Sequence, residues 1–503
     1  MNNIPLTINH RLSTNKGFIL LLTLIFMTVL TVFTGSLIYM TTVDMKNVAS
    51  QSDDVNLEGL ADAGIDRAHR EIKDDYTSTT SQGTADLRGA DTSLSVSISS
   101  PNNMRYIDTS TATINNNADQ AILRTFDSNY TNTKIISVEL RARASRAGGS
   151  GSNPTIEVSY TTDGVNYTPA ISATITSTTV GELTTADITG SLTWSTIMSS
   201  NFRLRAMRTA GTININLDSI YLRVTYGIDT AAESWATGSY ASFPISLSGG
   251  TIQSIAITDE QRKAHLNYAL QALLSNLLTN LGIASASTKA TNIVNYRGVG
   301  LTNPFDSVEE LQQVTGITAS DYAAIKDYVT VYSFVNSNVY RPTGPRAPVN
   351  INTTSFEVLK AIFDSLTLGA GDSTTLANGI ISFRNSTPFI GFYTSTSTAD
   401  NRYFYNFVRN AAYLSTSGNP DEKDRVMDNA DPSSLIPFSG SAAFTALTTE
   451  FCYASNVFHI EVLARFNNRD LRVKTLRGND GSRAFGTYVG DTTLSGRRKE
   501  NYE

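Results

Sequence analysis

The chain has 503 residues, 40% hydrophobic and 17% charged, with one cysteine, Cys452, and four histidines, His10, His69, His265 and His459. At about 150 residues per domain this length implies roughly three domains. The lone cysteine excludes an intrachain disulfide and a thiolate zinc cluster, and the histidines are too far apart for a local His-x-x-x-His metal site. With 39 Lys and Arg against 45 Asp and Glu, a net charge of -6 and no polybasic tail, the chain lacks the clustered cations that phosphate binding requires. Nucleic acid is therefore not an expected partner.

The 27 residues from Gly17 to Val43 carry no charge. As a helix they span about 40 Å against a hydrocarbon core of about 30 Å, longer than the apolar region of a secretory signal. Arg11 and Lys16 precede the run and no acid does, which keeps the N-terminus in the cytoplasm and sends the rest across the membrane as a single-pass protein. Beyond the run, Val55, Leu60, Ile65, Ala68 and Ile72 recur at helical spacing, so one helix is expected over 18–75. The short polar leader, residues 1–17, ends in Lys16-Gly17-Phe18 directly against the apolar run. This resembles the leader of type IV pilins and type II secretion pseudopilins. The resemblance implies cleavage by a prepilin peptidase between Gly17 and Phe18 and methylation of the new N-terminus. The fifth residue after the cut, Glu in most pilins, is Leu22 here. K-type minor pseudopilins characteristically lack that Glu, and a buried carboxylate in the bilayer is costly without a partner.

Residues 76–102, with the alternating SLSVSIS, read as a first strand region of a pilin-like sheet. From 103 to 227 the alternation of IISVELRARA, PTIEVSY, FRLRAMR and ININLDSIYLRVTY predicts an inserted β-sandwich of jelly-roll type. Its VSYTTDGVNYT hairpin resembles those of carbohydrate-binding jelly rolls, and Arg141, Arg143 and Arg146 form either a patch for an anionic partner or a plain solvent face. Residues 228–258, containing TIQSIAITD, return to the pilin sheet. Excision of 103–227 is then expected to spare the pilin core, with SLSVSIS and TIQSIAITD still paired.

Residues 259–445 read as a helical domain of two related units. Each places Asn beside the start of an apolar-periodic helix and continues with Ile-x-x-(Tyr/Phe)-Arg and a Pro-Phe, at Pro304-Phe305 and Pro388-Phe389. A cap at Asp306 or Ser307, a stop at Gly316 and an Asn352-Thr353 cap for SFEVLKAIF complete the pattern. It is similar to the helix-hairpin-helix (SAM-like) units of DNA-binding proteins and to the helical domain of K-type minor pseudopilins. The phosphate-binding Gly-x-Gly hairpin is missing at Gly316, and 259–333 holds five Lys/Arg against seven Asp/Glu. Residues 446–503 read as a hairpin of VFHIEVLARF and LRVKTLRG and a tail, which the resemblance implies completes the pilin sheet.

The overall expectation is an α+β fold: a long N-terminal pilin helix, a pilin-like antiparallel sheet, an inserted β-sandwich and an inserted helical domain. No phosphate loop, His-Glu-x-x-His or Gly-x-Ser-x-Gly motif occurs, so the chain is not expected to be an enzyme. Asp421, Glu422, Asp424, Asp428 and Asp431 cluster in what reads as a loop, a setting for a hard cation that competes with a solvated charge run. The resemblance implies calcium in this domain. It further implies a minor pseudopilin at the tip of a type II secretion pseudopilus, in the inner membrane of a Gram-negative bacterium with its globular part in the periplasm. Its partners would be other minor pseudopilins, the prepilin peptidase and secreted cargo. The alternatives are an adhesive minor type IV pilin and a membrane-anchored helix-hairpin-helix DNA receptor.

Overall fold

A computed structural model describes residues 12–502 apart from 79, 106–109, 118, 127–132, 248, 334–346, 394–398, 418–420, 431–450 and 479–497. The first element is a single helix, α1 (Leu12–Thr77), 66 residues long. Its apolar half, Phe18 to Val43, is exposed throughout. There Thr31, Thr34 and Thr42 each turn the hydroxyl back onto the carbonyl four residues earlier at 2.7 Å, which satisfies a polar group without water. Among the described residues this is the one helix long and apolar enough to cross a membrane. The other half buries Leu57, Leu60, Ala61, Ile65, Ala68 and Ile72, a stripe at i, i+3 and i+4 whose burial stabilises the docked helix by on the order of 10 kcal/mol.

Next come β1 (Gln82–Leu87), β2 (Gly89–Asp91), β3 (Ala112–Ile114), β4 (Gln120–Phe126), β5 (Ile135–Arg146), β6 (Thr155–Thr161), β7 (Thr168–Thr174), β8 (Gly181–Glu182), β9 (Ala186–Asp187), the short helix α2 (Trp194–Ile197), β10 (Arg203–Ala210) and β11 (Ile215–Gly227). They form two facing sheets, β1-β11-β5-β8 with β3 and β9 attached, and β2-β4-β10-β6-β7. Ile156, Val158, Leu204 and Ala206 from one sheet share a core with Leu140, Ala142, Leu222 and Val224 from the other.

The expectation for the first strand region changes here. Strands β1 and β2 belong to the sandwich, not to a pilin sheet, because β1 pairs with β11 from Gln82↔Gly227 to Leu87↔Leu222 and β2 pairs with β4. SLSVSIS makes only isolated bridges, Val96↔Gln120 and Ser99↔Thr113, since left-handed backbone at Ser97 and Ser100 breaks the strand. Excision of 103–227 would strip β1 and β2 of both partners. The arginines of β5 are not a free cationic patch: Arg141 pairs with Glu139 and Glu182, Arg143 with the buried Asp218, and Arg146 donates to Asn153.

After α3 (Ser234–Thr237), β12 (Ile245–Leu247) and β13 (Gly250–Asp259) start a third sheet, completed far along the chain by β18 (Val457–Phe466), β19 (Arg469–Gly478) and β20 (Arg498–Tyr502) in the order β12-β13-β18-β19-β20. Phe458, Ile460, Val462 and Ala464 alternate inward against α1. At Gly64 of α1 an added Cβ would lie 2.5 Å from Val462 Cγ1, so glycine sets how closely the helix approaches the sheet. Asn467 and Asn468, at φ 48° and 63°, make the two-residue turn between β18 and β19.

Between β13 and β18 lie β14 (Ala264–His265), α4 (Gln271–Asn280), α5 (Ala286–Arg297), α6 (Ala319–Ile325), β15 (Val329–Thr330), β16 (Val349–Asn350), α7 (Phe356–Asp364), α8 (Asp372–Arg384), α9 (Phe404–Asn410), α10 (Glu422–Ala430) and β17 (Phe451–Cys452). Each unit is bounded by a two-residue parallel ladder, β14 with β15 and β16 with β17. The shared sequence signature is one repeated clamp. Asn267 donates to the Phe305 carbonyl at 3.0 Å and accepts from the Phe305 amide at 2.8 Å, while Arg297 donates to the Leu266 carbonyl. Asn352 does the same with Phe389 at 2.9 and 2.9 Å, and Arg384 with the Ile351 carbonyl. Thus Asn352 is a clamp residue. The cap of α7 is Ser355, which accepts from the Val358 amide.

Asn352 is 2% exposed, so its loss leaves two buried backbone groups without partners. Asn352→Ala is expected to lower the stability of the full chain by about 2–3 kcal/mol, measured by denaturant unfolding in detergent. A change under about 0.5 kcal/mol, the scale of an ordinary surface substitution, would count against the clamp.

Candidate functional site at the N-terminal helix and its junction with the sandwich

Two places concentrate functional signals. The first is the start of α1. Gly17 and Phe18 are exposed, and a Cβ added at Gly17 would meet nothing within 4 Å. Glycine in a helix interior costs about 1 kcal/mol relative to alanine, and no contact among the described residues asks for it there. Leu22, 58% exposed, extends the same apolar surface.

The second is the junction of α1, the sandwich and the third sheet, where Asp75, Asp229 and Glu233 bring carboxylate oxygens within 4.8 Å of one another. Asp75 sits in the last turn of α1, Asp229 two residues past β11, and Glu233 at the N-cap of α3. A small cavity beside them is lined by Ile72, Asp75, Lys134, Gly227, Asp229 and Phe458. Lys134 donates to the Thr77 carbonyl at 2.8 Å. Glu233 accepts from the Thr230 amide at 2.9 Å and the Trp235 indole N–H at 2.8 Å, and Asp229 accepts from the Ser455 amide. Burial pushes Asp75 up to about 6, aided by Glu71, and Glu233 up to about 7, aided by Asp75. Asp229 is raised well above the usual carboxylate range by its burial, with Glu233 and Asp75 adding to it. Three converging carboxylates are hard oxygen ligands of the kind a divalent cation takes. They are equally a group that cannot all ionise together.

Behind them lies a buried polar network. Asp259 accepts from Ser455 Oγ at 2.6 Å, Thr353 Oγ1 at 2.5 Å and the Gln261 amide at 2.7 Å. Asn350 donates to Ser455 Oγ at 2.8 Å, and Gln261 to Cys452 Sγ at 3.2 Å. Burial, with Asp259 and Asp229 nearby, pushes the Cys452 thiol well up, which leaves it an unreactive structural group.

The acidic run at 421–431 is not a loop as expected: Glu422–Ala430 is helix α10. Its described carboxylates are engaged locally. Glu422 accepts from the Gly369 amide at 2.5 Å and the Ser415 amide at 2.7 Å, and Asp421 from the Asp424 amide at 2.8 Å. Asp424 stands 4.0 Å from Arg409. The Asp428 side chain and Asp431 lie outside the described residues. In the sandwich, Tyr167 beyond the Asp163-Gly164 turn lies under Arg205, 4.1 Å from ring centroid to guanidinium. Sequence reading missed all three residues of this cluster, Asp75, Asp229 and Glu233. Asp229 and Glu233 stand more than 150 residues from Asp75, and nothing local marks the three as neighbours.

No protein-family model matches the chain, and no curated protein does. Among solved structures, it is similar to the GspK-GspI-GspJ complex from the enterotoxigenic Escherichia coli type 2 secretion system, at 17% identity and TM-score 0.30, covering 50% of this chain and 81% of that one. It is also similar to the CBM22-1 xylan-binding domain of Paenibacillus barcinonensis Xyn10C, at 12% identity and TM-score 0.17, covering 29% and 87%. A third similarity is to the CBM22-1-GH10 modules of Clostridium thermocellum xylanase 10B complexed with xylohexaose, at 10% identity and TM-score 0.18, covering 41% and 30%. The architecture is an α+β fold with inserted domains: α1 docked on an antiparallel sheet, with the sandwich inserted between them and the helical units between strands of the sheet.

Because Asp75 and Glu233 keep their protons to about 6 and 7 in the folded chain, folding binds protons at this junction between roughly pH 4 and pH 7, and the junction weakens as pH rises through that window. His265, buried and held down to about 3, acts in the opposite sense by resisting protonation. The informative measurement is therefore differential. Asp229→Asn is expected to raise the thermal midpoint relative to wild type more at about pH 8 than at about pH 5; the same difference at both values would contradict the linkage.

Proposed function

We propose that this chain is a K-type minor pseudopilin, a non-enzymatic subunit at the tip of a type II secretion pseudopilus that supports its assembly and protein secretion. The observation that carries this reading is α1 itself, taken with its leader. Lys16-Gly17-Phe18 opens directly onto an unbroken helix whose first half is bare and apolar and whose second half packs on an antiparallel sheet. The glycine at 17 has no internal reason, which suits a residue read by an outside enzyme, the prepilin peptidase. Leu22 in place of the usual Glu suits a subunit with no neighbour above it, and the sandwich and helical units add bulk that suits the top of a helical filament. In this reading the other minor pseudopilins dock along α1 and the third sheet. The head lies in the periplasm, anchored in the inner membrane, where it meets secreted cargo.

Gly17→Glu is expected to leave the full-length precursor in cells with an active prepilin peptidase, while wild type is cut before Phe18; intact-mass spectrometry distinguishes the two. Wild type retaining Met1 in such cells would refute the assignment. Leu22→Glu is expected to give no gain in co-purification with the other minor pseudopilins, because an unpaired carboxylate in the bilayer is penalised. A clear gain would mark an internal subunit.

A further inference from the structure

Strand β1 is an edge of the sandwich, and an exposed edge leaves a row of unpaired amides and carbonyls. Here that edge is continued by a segment of the second helical unit. The Thr84 amide donates to the Ile390 carbonyl at 2.9 Å, and the Tyr226 hydroxyl donates to the same carbonyl at 3.2 Å. The segment 390–392 is paired on its far side: Ile390 donates to the Arg402 carbonyl at 2.9 Å, Phe404 to Gly391 at 3.0 Å and Tyr405 to Phe392 at 2.9 Å. Thr84 Oγ1 also meets the Tyr403 hydroxyl. One backbone hydrogen bond, with the hydroxyls of Tyr226 and Tyr403 beside it, thus joins the edge of the sandwich to the helical unit.

Two glycines allow this approach. An added Cβ at Gly83 would strike the Ile390 carbonyl oxygen, and one at Gly391 would strike the Thr84 carbonyl oxygen. In both cases the obstacle is backbone, which cannot swing aside as a side chain does. Beside the glycines, Arg88 is 3% exposed and lies between two rings, 5.8 Å from Tyr221 of the sandwich and 5.7 Å from Tyr393 of the helical unit. The apolar interior is shared as well: one continuous cluster contains Leu222, Val224 and Tyr226 together with Phe389, Phe392 and Phe404.

We propose that Gly83 and Gly391 form a backbone latch that locks the sandwich to the second helical unit, so that the two inserted domains act as one rigid head in place of two hinged modules. This goes beyond the pseudopilin reading and does not need it. The sandwich has a fixed orientation relative to the helical unit.

The test uses the full chain in detergent and two probes, tryptophan fluorescence in a Trp235→Phe background, which leaves Trp194 in the sandwich, and circular dichroism at the helical band. Wild-type sandwich and helices are expected to unfold at one midpoint, the mark of a single cooperative unit. Gly391→Val is expected to separate the midpoints and to raise hydrogen exchange at the Thr84 amide by at least roughly tenfold while Val224, deeper in the sandwich, keeps its protection. Should Gly391→Val fail to fold, Tyr226→Phe with Tyr403→Phe removes two latch hydroxyls without added bulk and is expected to raise Thr84 exchange in the same direction. Separate midpoints in the wild type, or a Thr84 amide exchanging as fast as open chain, would overturn the proposal.

Discussion

Asp259 is the point on which the architecture turns. It ends the strand from which the helical units depart, its carboxylate is buried, and it is tied at once to Ser455, where the chain returns, and to Thr353, where the second unit begins. A carboxylate taken out of water is costly unless its lone pairs are used. Burial does push this one above the ordinary range, while the hydrogen bonds from Ser455 and Thr353 pull the other way. Removing any of the three donors would leave a buried acceptor short, so these segments are held in register by the cost of separation more than by the strength of any one bond.

From that knot outward, the chain solves the same problem repeatedly: how to stop short elements without exposing backbone. The Asn267 and Asn352 clamps each satisfy both main-chain groups of a phenylalanine. The paired arginines close the carbonyls before them, and Ser307 with Glu310 and Thr318 with Asp321 start the intervening turns. These are local devices with fixed residue chemistry. They repeat because each unit must close itself on a two-residue ladder.

That locality explains what was legible in the sequence. The apolar run and stripe of α1, the alternation of β18 and the Asn, Arg and Pro-Phe signatures express short-range periods or pairings, and they could be read. The partners of β1 and β2 could not, because alternation identifies a strand without naming its sheet. SLSVSIS alternates well and is still not a strand, since two serines take left-handed backbone. The charge of 421–431 suggested a loop, whereas Val426 and Met427 bury one face of α10. The Asp75, Asp229 and Glu233 cluster could not be read, because it comes from segments joined only by the fold.

The third sheet has a further consequence, in time instead of space. Strand β13 ends at Asp259 and its partner β18 begins at Val457, so nearly 200 residues must follow β13 before the ladder can close. Until then the apolar stripe of α1 from Leu57 to Ile72 and the inward face of β13 have no complete surface to cover them. Contacts this distant in sequence form slowly, and uncovered edges and stripes invite wrong pairing while they wait. The sandwich and the first helical unit, whose contacts close within their own spans, have the opportunity to fold first, leaving the sheet that holds α1 to be assembled last.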